Sequence, residues 1–283
     1  MITTNDFLDY SILDTGSGMK LERWKNVILA RPDPQVIWEK QAPVLWDSVD
    51  ARYIRSSQGG GRWEFMHNMP AKWTVSYKKL QFAVHPTGFK HMGLFPEQAA
   101  NWDFMMQKIR NAARPIRVLN LFAYTGGASV ACAAAGAEVV HVDAAKSMVT
   151  WAKENIALNH LAESPVRFIV DDCIKFVLRE QRRGSLYDAI IMDPPSYGRA
   201  EGSVFKMEDD LFSLVSETAK LLSADPLFFI LNSYTTGLSS VVCSNLLKIC
   251  IGSRGSIEAG DLCIPVENQP LFLPCGTTTR WYK

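Results

Sequence analysis

The chain has 283 residues, 47% of them apolar and 21% charged, and its formal net charge at pH 7 is +1. This composition is typical of a globular protein with room for one large or two ordinary domains. No apolar run is long enough to span a bilayer, and residues 1–8 include Asp6 instead of a basic, apolar targeting signal. We therefore expect no membrane segment.

The small net charge gives little support to a nucleic-acid partner. Residues 1–95 carry 12 Lys and Arg against 9 Asp and Glu, a balance of +3, whereas residues 96–283 carry 18 against 20, a balance of −2. A mildly basic N-terminal part is compatible with contact to RNA but does not require it.

The six cysteines are scattered, and none forms a Cys-x-x-Cys pair. The five histidines show no spacing typical of metal ligands. We therefore expect neither a metal site nor a disulfide framework, and the cytoplasm, a reducing compartment, is the expected location.

Residues 1–95 consist of short strand-like pieces between turn signals, which predicts a small β domain. The predicted strands are Tyr10–Leu13, Met19–Trp24, Val27–Ala30, Val36–Trp38, Trp73–Tyr77 and Leu80–His85. Five of the eight tryptophans lie in this part: Trp24, Trp38, Trp46, Trp63 and Trp73. They could stack on bases or form the core of the sheet. We favour the core, because large aromatic side chains commonly anchor small sheets.

A helix over Pro96–Arg110 leads into a second predicted domain, residues 96–283, in which strands and helices alternate. Its predicted strands are Val118–Leu121, Glu138–Val142, Val166–Val170, Ala189–Met192 and Leu227–Leu231, followed by Ser256–Ile264 and Thr277–Tyr282 with no helix between them. The predicted helices are Ala128–Ala135, Lys146–Leu158, Ile174–Glu180, Asp209–Leu222 and Ser239–Ile249. Because parallel strands need crossover helices, this pattern predicts an α/β, Rossmann-like fold. Its doubly wound sheet would have seven strands, mostly parallel, with an antiparallel C-terminal edge.

The stretch Val118–Ser129 combines a short buried strand, the tight turn Thr125–Gly127 and a helix start. Such a unit lets backbone N–H groups approach a small ligand. In an open α/β sheet, ligands bind beyond the carboxyl ends of the strands. Asp143 ends the second strand, where a carboxylate can accept hydrogen bonds from two ribose hydroxyls, although it could also merely cap the next helix.

Two further strand ends carry polar motifs. Asp172 follows the third strand, and we give a helix cap and a ligand contact equal weight there. Asp193-Pro194-Pro195 follows the fourth strand. Two prolines cannot continue a hydrogen-bonded ladder and hold the loop extended. We therefore favour a rigid loop that fixes the Asp193 carboxylate and the Pro194 carbonyl near a reacting group over a purely structural turn.

In their order, these motifs resemble those of class I S-adenosylmethionine-dependent methyltransferases. More narrowly, Asn120-Leu-Phe-Ala-Tyr-Thr-Gly126, Asp193-Pro-Pro-x-Tyr197 and Gly93-Leu-Phe-Pro-Glu-Gln98 resemble the bacterial 23S rRNA large-subunit methyltransferases, a group with cytosine-C5 and guanine-N7 enzymes. The resemblance covers about Gly93 to Leu238. It implies S-adenosylmethionine as cofactor, RNA, and rRNA in particular, as partner, and methyl transfer to a base as activity.

The resemblance also implies roles for the matching residues around the cofactor. Phe95 and Gln98 would line its pocket. Asp143 would hold the ribose diol, and Asp172 would face the adenine with Cys173 beside it. Five residues would surround the methionine part: Asn120, Phe122, Ala123, Thr125 and Gly126.

At the reactive end, the resemblance implies that Asp193 and Pro194 face the methyl group and the target base, on which Tyr197 would stack. Cytosine-C5 members carry a Thr-Cys-Ser-like nucleophile loop after the fifth strand, whereas this chain reads Asn232-Ser-Tyr-Thr-Thr-Gly237. Attack on a cytosine C6 needs a thiolate there. The sequence therefore favours direct transfer to a nucleophilic nitrogen, without a covalent Cys intermediate.

Other functions are compatible with the same fold. They are a methyltransferase of tRNA, protein or a small molecule, a non-catalytic RNA-binding factor, and an NAD-dependent oxidoreductase. Against the oxidoreductase, Thr125-Gly-Gly127 is not the Gly-x-Gly-x-x-Gly of dinucleotide sites, and Asp-Pro-Pro has no role in hydride transfer.

Overall fold

The computed structural model describes residues 1–4, 6–56, 60–200, 203–235, 237–252 and 255–283. The chain forms two compact units. The first unit comprises Ile2–Ala100 and Cys263–Cys275, and the second comprises Asn101–Leu262 and Gly276–Lys283, with Met1. The first unit thus includes a C-terminal segment that the sequence did not indicate, and its main boundary lies five residues beyond Phe95.

The first unit is built of short strands, as predicted, together with two 3-10 helices. Its strands are β1 (Ile2–Thr3), β2 (Tyr10–Gly16), β3 (Met19–Trp24), β4 (Val27–Pro32), β5 (Ala51–Arg55), β6 (Gly61–Phe65), β7 (Trp73–Tyr77) and β8 (Leu80–Val84), and its 3-10 helices are Pro43–Ser48 and Pro96–Gln98. Strands β2 to β6 form one sheet in sequence order, and β7 pairs with β8 in a second sheet. The predicted strand Val36–Trp38 is absent from these strands, whereas β5 and β6 were not predicted.

The tryptophans of the first unit serve its own packing. Trp24 is fully buried, and the other four are half-buried. The indole N–H groups of those four donate within the unit: Trp38 to Thr15, Trp46 to Asp14, Trp63 to Thr87 and Trp73 to Trp24. These contacts agree with the core interpretation.

A buried ion network joins β2, β3 and β4 of the first unit. The Glu22 side chain is fully buried and accepts hydrogen bonds from Arg31, at 2.5 and 2.6 Å, and from the Tyr10 hydroxyl, at 2.7 Å. The Lys20 Nζ lies 3.3 Å from Asp33 Oδ2. Burial opposes ionisation of Glu22, but Arg31 and Lys20 outweigh it and lower the pKa of Glu22 to about 2.

The second unit alternates strands and helices as the sequence predicts. The helices are α1 (Ala99–Asn111, which begins in the first unit), α2 (Gly127–Ala134), α3 (Lys146–Leu158), α4 (Cys173–Arg182), α5 (Met207–Ala219) and α6 (Ser240–Ile251). The strands are β9 (Arg117–Leu121), β10 (Glu138–Asp143), β11 (Val166–Val170), β12 (Ala189–Met192), β13 (Tyr197–Ala200), β14 (Ser203–Lys206), β15 (Phe228–Ser233), β16 (Ser256–Pro265, which ends in the first unit) and β17 (Phe272–Tyr282, which begins in the first unit). None of the described helices is long and apolar enough to cross a membrane.

The large sheet has the order β1-β16-β17-β15-β12-β9-β10-β11. Neighbouring strands from β15 to β11 are parallel, and β17 pairs antiparallel with β15. This confirms the predicted Rossmann-like sheet, to which the two-residue strand β1 adds an eighth member. The chain runs from β9 through β10 to β11 on one side and then continues with β12 on the other side of β9. The topological switch point, where such folds bind ligands, therefore lies between β9 and β12.

Side chains alternate between the two faces of the central strands. Leu119, Leu121, Ile190 and Met192 belong to one apolar core with residues of α4, α5 and α6. The alternate positions of β9 and β10 face the other way, and there two polar residues, Asn120 and His141, are buried. Asn120 and His141 lie on β9 and β10, the two strands that lead into the loops of the candidate site.

Candidate active site

The loop between β9 and α2 has an unusual backbone. Phe122, Tyr124 and Gly126 have φ values of 55°, 51° and 85°, all in the left-handed region. At Gly126 a Cβ would lie 2.9 Å from the Cβ of Ala152 on α3, so only glycine fits there. The predicted turn Thr125–Gly127 is therefore a close approach of the loop to a helix as well as a change of direction.

Two backbone amides at the start of this loop are held by β10 and α4. The Phe122 N–H donates to Cys173 Sγ at 3.2 Å, and the Ala123 N–H donates to the Val142 carbonyl at 3.0 Å. Cys173 is buried, and burial raises the pKa of its thiol. Its role in this geometry is that of a hydrogen-bond acceptor for the loop.

The Asp143 carboxylate ties the loop to the tip of β10. Its Oδ2 accepts from the Tyr124 N–H and its Oδ1 from the Ala145 N–H, both at 2.8 Å. Burial raises the pKa of Asp143, and the two amides oppose that rise only in part. Asp143 is not the N-cap of α3, which is Ala145; its carboxylate instead joins two of the strand-end loops.

Buried neutral side chains form hydrogen bonds with the loop and with the start of α2. The Asn155 amide on α3 donates to the Thr125 carbonyl at 2.8 Å. Asn120 Nδ2 donates to Ser129 Oγ, which is also 2.9 Å from His141 Nδ1. All four of these side chains are at most 3% exposed, and burial lowers the pKa of His141 to about 3, so its ring is neutral. We call Asn120, Ser129, His141 and Asn155 the neutral network.

Sequence reasoning missed three members of this network, Ser129, His141 and Asn155. Their only signal is a polar residue at a position where strand alternation or helical spacing predicts burial. The same signal marks many ordinary buried polar residues, so contacts in the folded chain are needed to assign them to the loop.

Asp172 is the N-cap of α4, where its Oδ1 accepts from the Lys175 N–H at 2.9 Å. Its neighbour Asp171 pairs with Arg179. The geometry therefore contains the cap that the sequence suggested, while the adenine contact of Asp172 remains a prediction.

The Asp193-Pro-Pro loop follows β12, directly beside β9 across the switch point. Pro194 is buried, Asp193 is half-buried, and Tyr197 is 50% exposed at the start of the β13–β14 hairpin. The Met207 N–H donates to the Ser196 carbonyl at 3.1 Å, and Ser196 Oγ lies 2.7 Å from Thr235 Oγ1 at the end of β15. Ser196, at the end of this loop, is thus joined to the start of α5 and to the segment after β15, while the positioning role of Asp193 and Pro194 remains a prediction.

The described residues of the segment 232–237, at the end of β15, include no cysteine. Position 236 lies outside the described residues. Asn232 is buried and accepts from Asn101 at 3.1 Å, and Thr235 contacts Ser196. The nearest cysteine in sequence, Cys243, is buried within α6, and burial raises its pKa to about 11. Such a thiol is predominantly protonated at neutral pH.

Phe95 and Gln98 belong to the first unit. The Phe95 ring packs 5.5 Å from the His91 ring, and the Gln98 N–H donates to the Phe95 carbonyl. Their predicted contact with the cofactor remains a prediction. Phe122, Ala123, Asp143 and Cys173, in contrast, are brought together by the contacts described above.

A glycine loop after the first strand, a carboxylate at the tip of the second and a proline-rich loop across the switch point define a class I methyltransferase fold. The sequence model of the S-adenosylmethionine-dependent methyltransferase family matches residues 50–239. The chain belongs to this family, and S-adenosylmethionine is its cofactor. The site fits that cofactor, because the half-buried carboxylate of Asp143 lies beside a loop whose backbone is already turned and anchored.

The curated relatives bear out the narrower resemblance. Over 187 residues the chain is 31% identical to the ribosomal RNA large subunit methyltransferase K/L of Magnetococcus marinus, covering 65% of this chain and 25% of that protein. Over 149 residues it is 38% identical to the enzyme of the same name from Shewanella baltica, covering 50% and 20%. The chain therefore spans a quarter or less of the length of these relatives.

Solved structures agree with the fold. A SAM-dependent methyltransferase from Agrobacterium tumefaciens has a TM-score of 0.95 and 35% identity, over 99% of this chain and 92% of that one. SMU.776, a putative methyltransferase complexed with SAH, has a TM-score of 0.73 at 18% identity, over 98% and 76%. The second comparison supports the fold alone.

Proposed function

We propose that this chain methylates a base of ribosomal RNA at a nitrogen atom, by direct transfer without a covalent Cys intermediate. The observation that carries the proposal is the position of the Asp193-Pro-Pro-Ser-Tyr197 loop. It follows the strand adjacent to β9, on the other side of the switch point from the Asp143 carboxylate. One loop can therefore present the base while the other holds the cofactor.

The cofactor-binding roles follow from the anchored loop. Asp143 would accept hydrogen bonds from the ribose hydroxyls, and Asp172 would face the adenine beside Cys173. The loop residues Phe122, Ala123, Thr125 and Gly126, with Asn120, Phe95 and Gln98, would surround the remainder. Because the loop backbone is fixed by side chains of three other elements, these groups need little rearrangement to bind.

At the reactive end, S-adenosylmethionine supplies a methyl group on a sulfonium, whose departure leaves a neutral thioether. Asp193 and the Pro194 carbonyl would orient the target amine by accepting its hydrogen bonds, and the Asp193 carboxylate would take up the proton that the methylated nitrogen releases. Tyr197, half-exposed at the hairpin start, would stack on the base. Since the leaving group needs no protonation, orientation and a proton acceptor are sufficient for this chain's residues to provide.

Direct transfer is supported by the residues at the end of β15. A covalent route requires a thiolate against the base. The stretch 232–237 contains no cysteine, and Cys243 is buried in α6 with a raised pKa. Cys173 is buried and accepts a hydrogen bond from the loop. Neither thiol is arranged as a nucleophile.

Ribosomal RNA as the substrate is supported by the names of the curated relatives, both ribosomal RNA large subunit methyltransferases. That substrate would place the protein in the cytoplasm, which the free thiols of all six cysteines also favour.

Mass-spectrometric mapping of modified nucleosides in rRNA tests the proposal. Cells lacking the protein should lose one methylated base, and the purified chain should restore it with S-adenosylmethionine. Asp193→Ala should lower the rate about 10²- to 10³-fold while S-adenosylhomocysteine binds as before. Asp209→Ala, on the exposed start of α5, is the matched control. An unchanged set of methylated bases in the rRNA of the deletion cells would contradict rRNA as the substrate.

Replacement of all six cysteines by serine tests the direct route. A folded protein should keep its turnover, measured with the same rRNA at saturating S-adenosylmethionine, because a serine hydroxyl at position 173 can still accept from the Phe122 N–H. Loss of transfer traced to one cysteine, with cofactor affinity retained, would establish covalent catalysis instead.

A further inference from the structure

An ordered loop in the first unit displays an aromatic ring. Residues 85–92 form a loop in the connection between β8 and the second 3-10 helix, and the Thr87 N–H and hydroxyl both donate to the His91 carbonyl, at 3.1 and 2.9 Å. The His85 N–H donates to the Met92 carbonyl at 3.2 Å. At the tip, Phe89 is 65% exposed. The loop is closed by its own hydrogen bonds, and yet it presents a large apolar side chain to solvent.

Trp63 on β6 supports this loop. Its indole N–H is shared between the Thr87 carbonyl at 2.9 Å and the Phe89 carbonyl at 3.1 Å. Its ring lies 5.5 Å from the buried Tyr53 on β5. Trp63 therefore acts as a support for the loop, and the aromatic face left for a ligand is that of Phe89.

Two cations of the first unit, Lys90 and Arg55, are candidates for phosphate contacts near Phe89. Lys90 is the chain neighbour of Phe89 and is half-buried; its Nζ donates to the Pro32 carbonyl at 3.4 Å, and its backbone carbonyl accepts from Arg31 at 2.7 Å. Arg55 is exposed at the end of β5 and, by strand alternation, lies on the same face of the sheet as Tyr53, which packs against Trp63. Arg52, on the same strand, lies on the opposite face and pairs with Glu64.

The electrostatic environment here is positive. Burial lowers the pKa of Lys90, and so do the nearby charges of Lys20, Arg31 and Arg55, while Asp33 opposes this effect. Burial also lowers the pKa of His91 to about 4, and the charges that add to this effect are all cations. An anion placed at Lys90 and Arg55 would relieve this repulsion.

We propose that Phe89, Lys90 and Arg55 form a contact surface for single-stranded RNA, with one unpaired base on the Phe89 ring and phosphates at the two cations. This inference rests on the proposed function for the identity of the nucleic acid. A ring beside two cations matches the alternation of base and phosphate along a single strand. An acidic protein segment would use the cations but has no need of a displayed ring.

Fluorescence anisotropy with a labelled oligouridylate of about 12 nucleotides tests the surface in the full chain. Phe89→Ala should weaken binding about tenfold, because a stacked base is lost. Arg55→Gln and Lys90→Gln should each weaken it and lower the salt slope by about 0.7. The matched controls are Arg52→Gln, the same charge on the opposite face of β5, and Phe212→Ala, an exposed ring of α5. Both should bind like the wild type.

Calorimetry with S-adenosylhomocysteine separates this proposal from the proposed function. All five variants should keep wild-type cofactor affinity, which also shows that they fold. Weak wild-type binding to the oligouridylate, or equal effects of Arg55→Gln and Arg52→Gln, would overturn the surface. A polyglutamate that binds as tightly and with the same sensitivity to Phe89→Ala would assign it to an acidic protein. Loss of oligouridylate binding in Phe89→Ala without any rRNA methylation by the wild type would retain the surface and refute the function.

Discussion

Two of the buried polar networks among the described residues have opposite character. In the first unit, Glu22 is fully buried against Arg31, with the Tyr10 hydroxyl as a further donor. In the second unit, the neutral network below the cofactor loop contains amides, a hydroxyl and an uncharged imidazole. The charged network holds strands of a small sheet together, whereas the neutral one holds a loop that must bind a ligand.

The difference shows how each unit uses buried polarity. A buried ion pair gains little over apolar packing, but removal of one partner leaves an unpaired charge. A neutral hydrogen bond has a smaller net energy, and its loss is correspondingly smaller. We therefore expect the first unit to be sensitive in stability, and the second to be sensitive in cofactor affinity.

The largest effect is expected from Glu22→Ala. It leaves Arg31 buried without its carboxylate and should lower the free energy of unfolding by about 3–5 kcal/mol. Urea denaturation followed by tryptophan fluorescence reports this change, because five of the eight tryptophans lie in residues 1–95. The double variant Glu22→Met with Arg31→Met should recover most of the loss. If Glu22→Ala lowers the free energy of unfolding by less than a variant of the neutral network does, the proposed difference between the charged and the neutral network is wrong.

A pH series should show the charge on Glu22 directly. Its folded pKa is about 2, below the ordinary 4.5, so its contribution is complete above pH 4.5 and is lost as pH falls towards 2. The stability difference between the wild type and Glu22→Gln should be on the order of 3 kcal/mol at pH 7. It should shrink below pH 4.5, and a constant difference from pH 7 to 3 would contradict the assignment.

For the cofactor loop, Asp143→Ala should weaken S-adenosylhomocysteine binding about 10- to 100-fold, as expected for a lost charge-assisted hydrogen bond. Because burial raises the pKa of Asp143, wild-type affinity should begin to fall, on acidification, at a higher pH than an ordinary aspartate would cause. Asp171→Ala, at the end of the neighbouring strand, is the control in calorimetry. Equal affinities of the two variants would remove Asp143 from the ribose site.

The smallest effect is expected from Ser129→Ala. It leaves Asn120 Nδ2 and His141 Nδ1 without their shared partner, which should lower the free energy of unfolding by about 1–2 kcal/mol and cofactor affinity a few-fold. Ser244→Ala provides a matched control, since the Ser244 hydroxyl donates only to the Ser240 carbonyl of its own helix. If both serine variants keep full cofactor affinity, the neutral network has no effect on the loop.

Much of the second unit could be predicted because its signals are local. The bounds of α3, β11 and β12 agree with the sequence prediction, since apolar runs and helical spacing mark them. β5 and β6 were missed because half-buried strands with charged residues such as Arg52 lack that pattern. Val36–Trp38 was predicted as a strand but bonds instead to the turn at Ser17 and Gly18.

In the candidate site, too, some residues could be predicted from local sequence signals and others could not. Asp143 and Asp193 could be found because strand ends can be located from sequence, and parallel strands gather their carboxyl ends at one edge. Asn155 could not, because its partner is the Thr125 carbonyl, 30 positions away, and no side-chain pattern marks a backbone acceptor. The antiparallel hairpin β13–β14, which follows Asp193-Pro-Pro in the chain, was also missed, since its strands have only four residues each and no apolar pattern marks them.

The discontinuity of the first unit bears on synthesis at the ribosome. Val266 bridges to Ile12, Glu267 donates to the Ile12 carbonyl, and Gln269 donates to Asp14, so the segment Cys263–Cys275 completes contacts of β2. These contacts form only after Gln269 has been translated, more than 250 residues after β2. The first unit therefore acquires its full set of contacts only after Asn101–Leu262 of the second unit have been translated, so it cannot complete its folding before the second unit has been made.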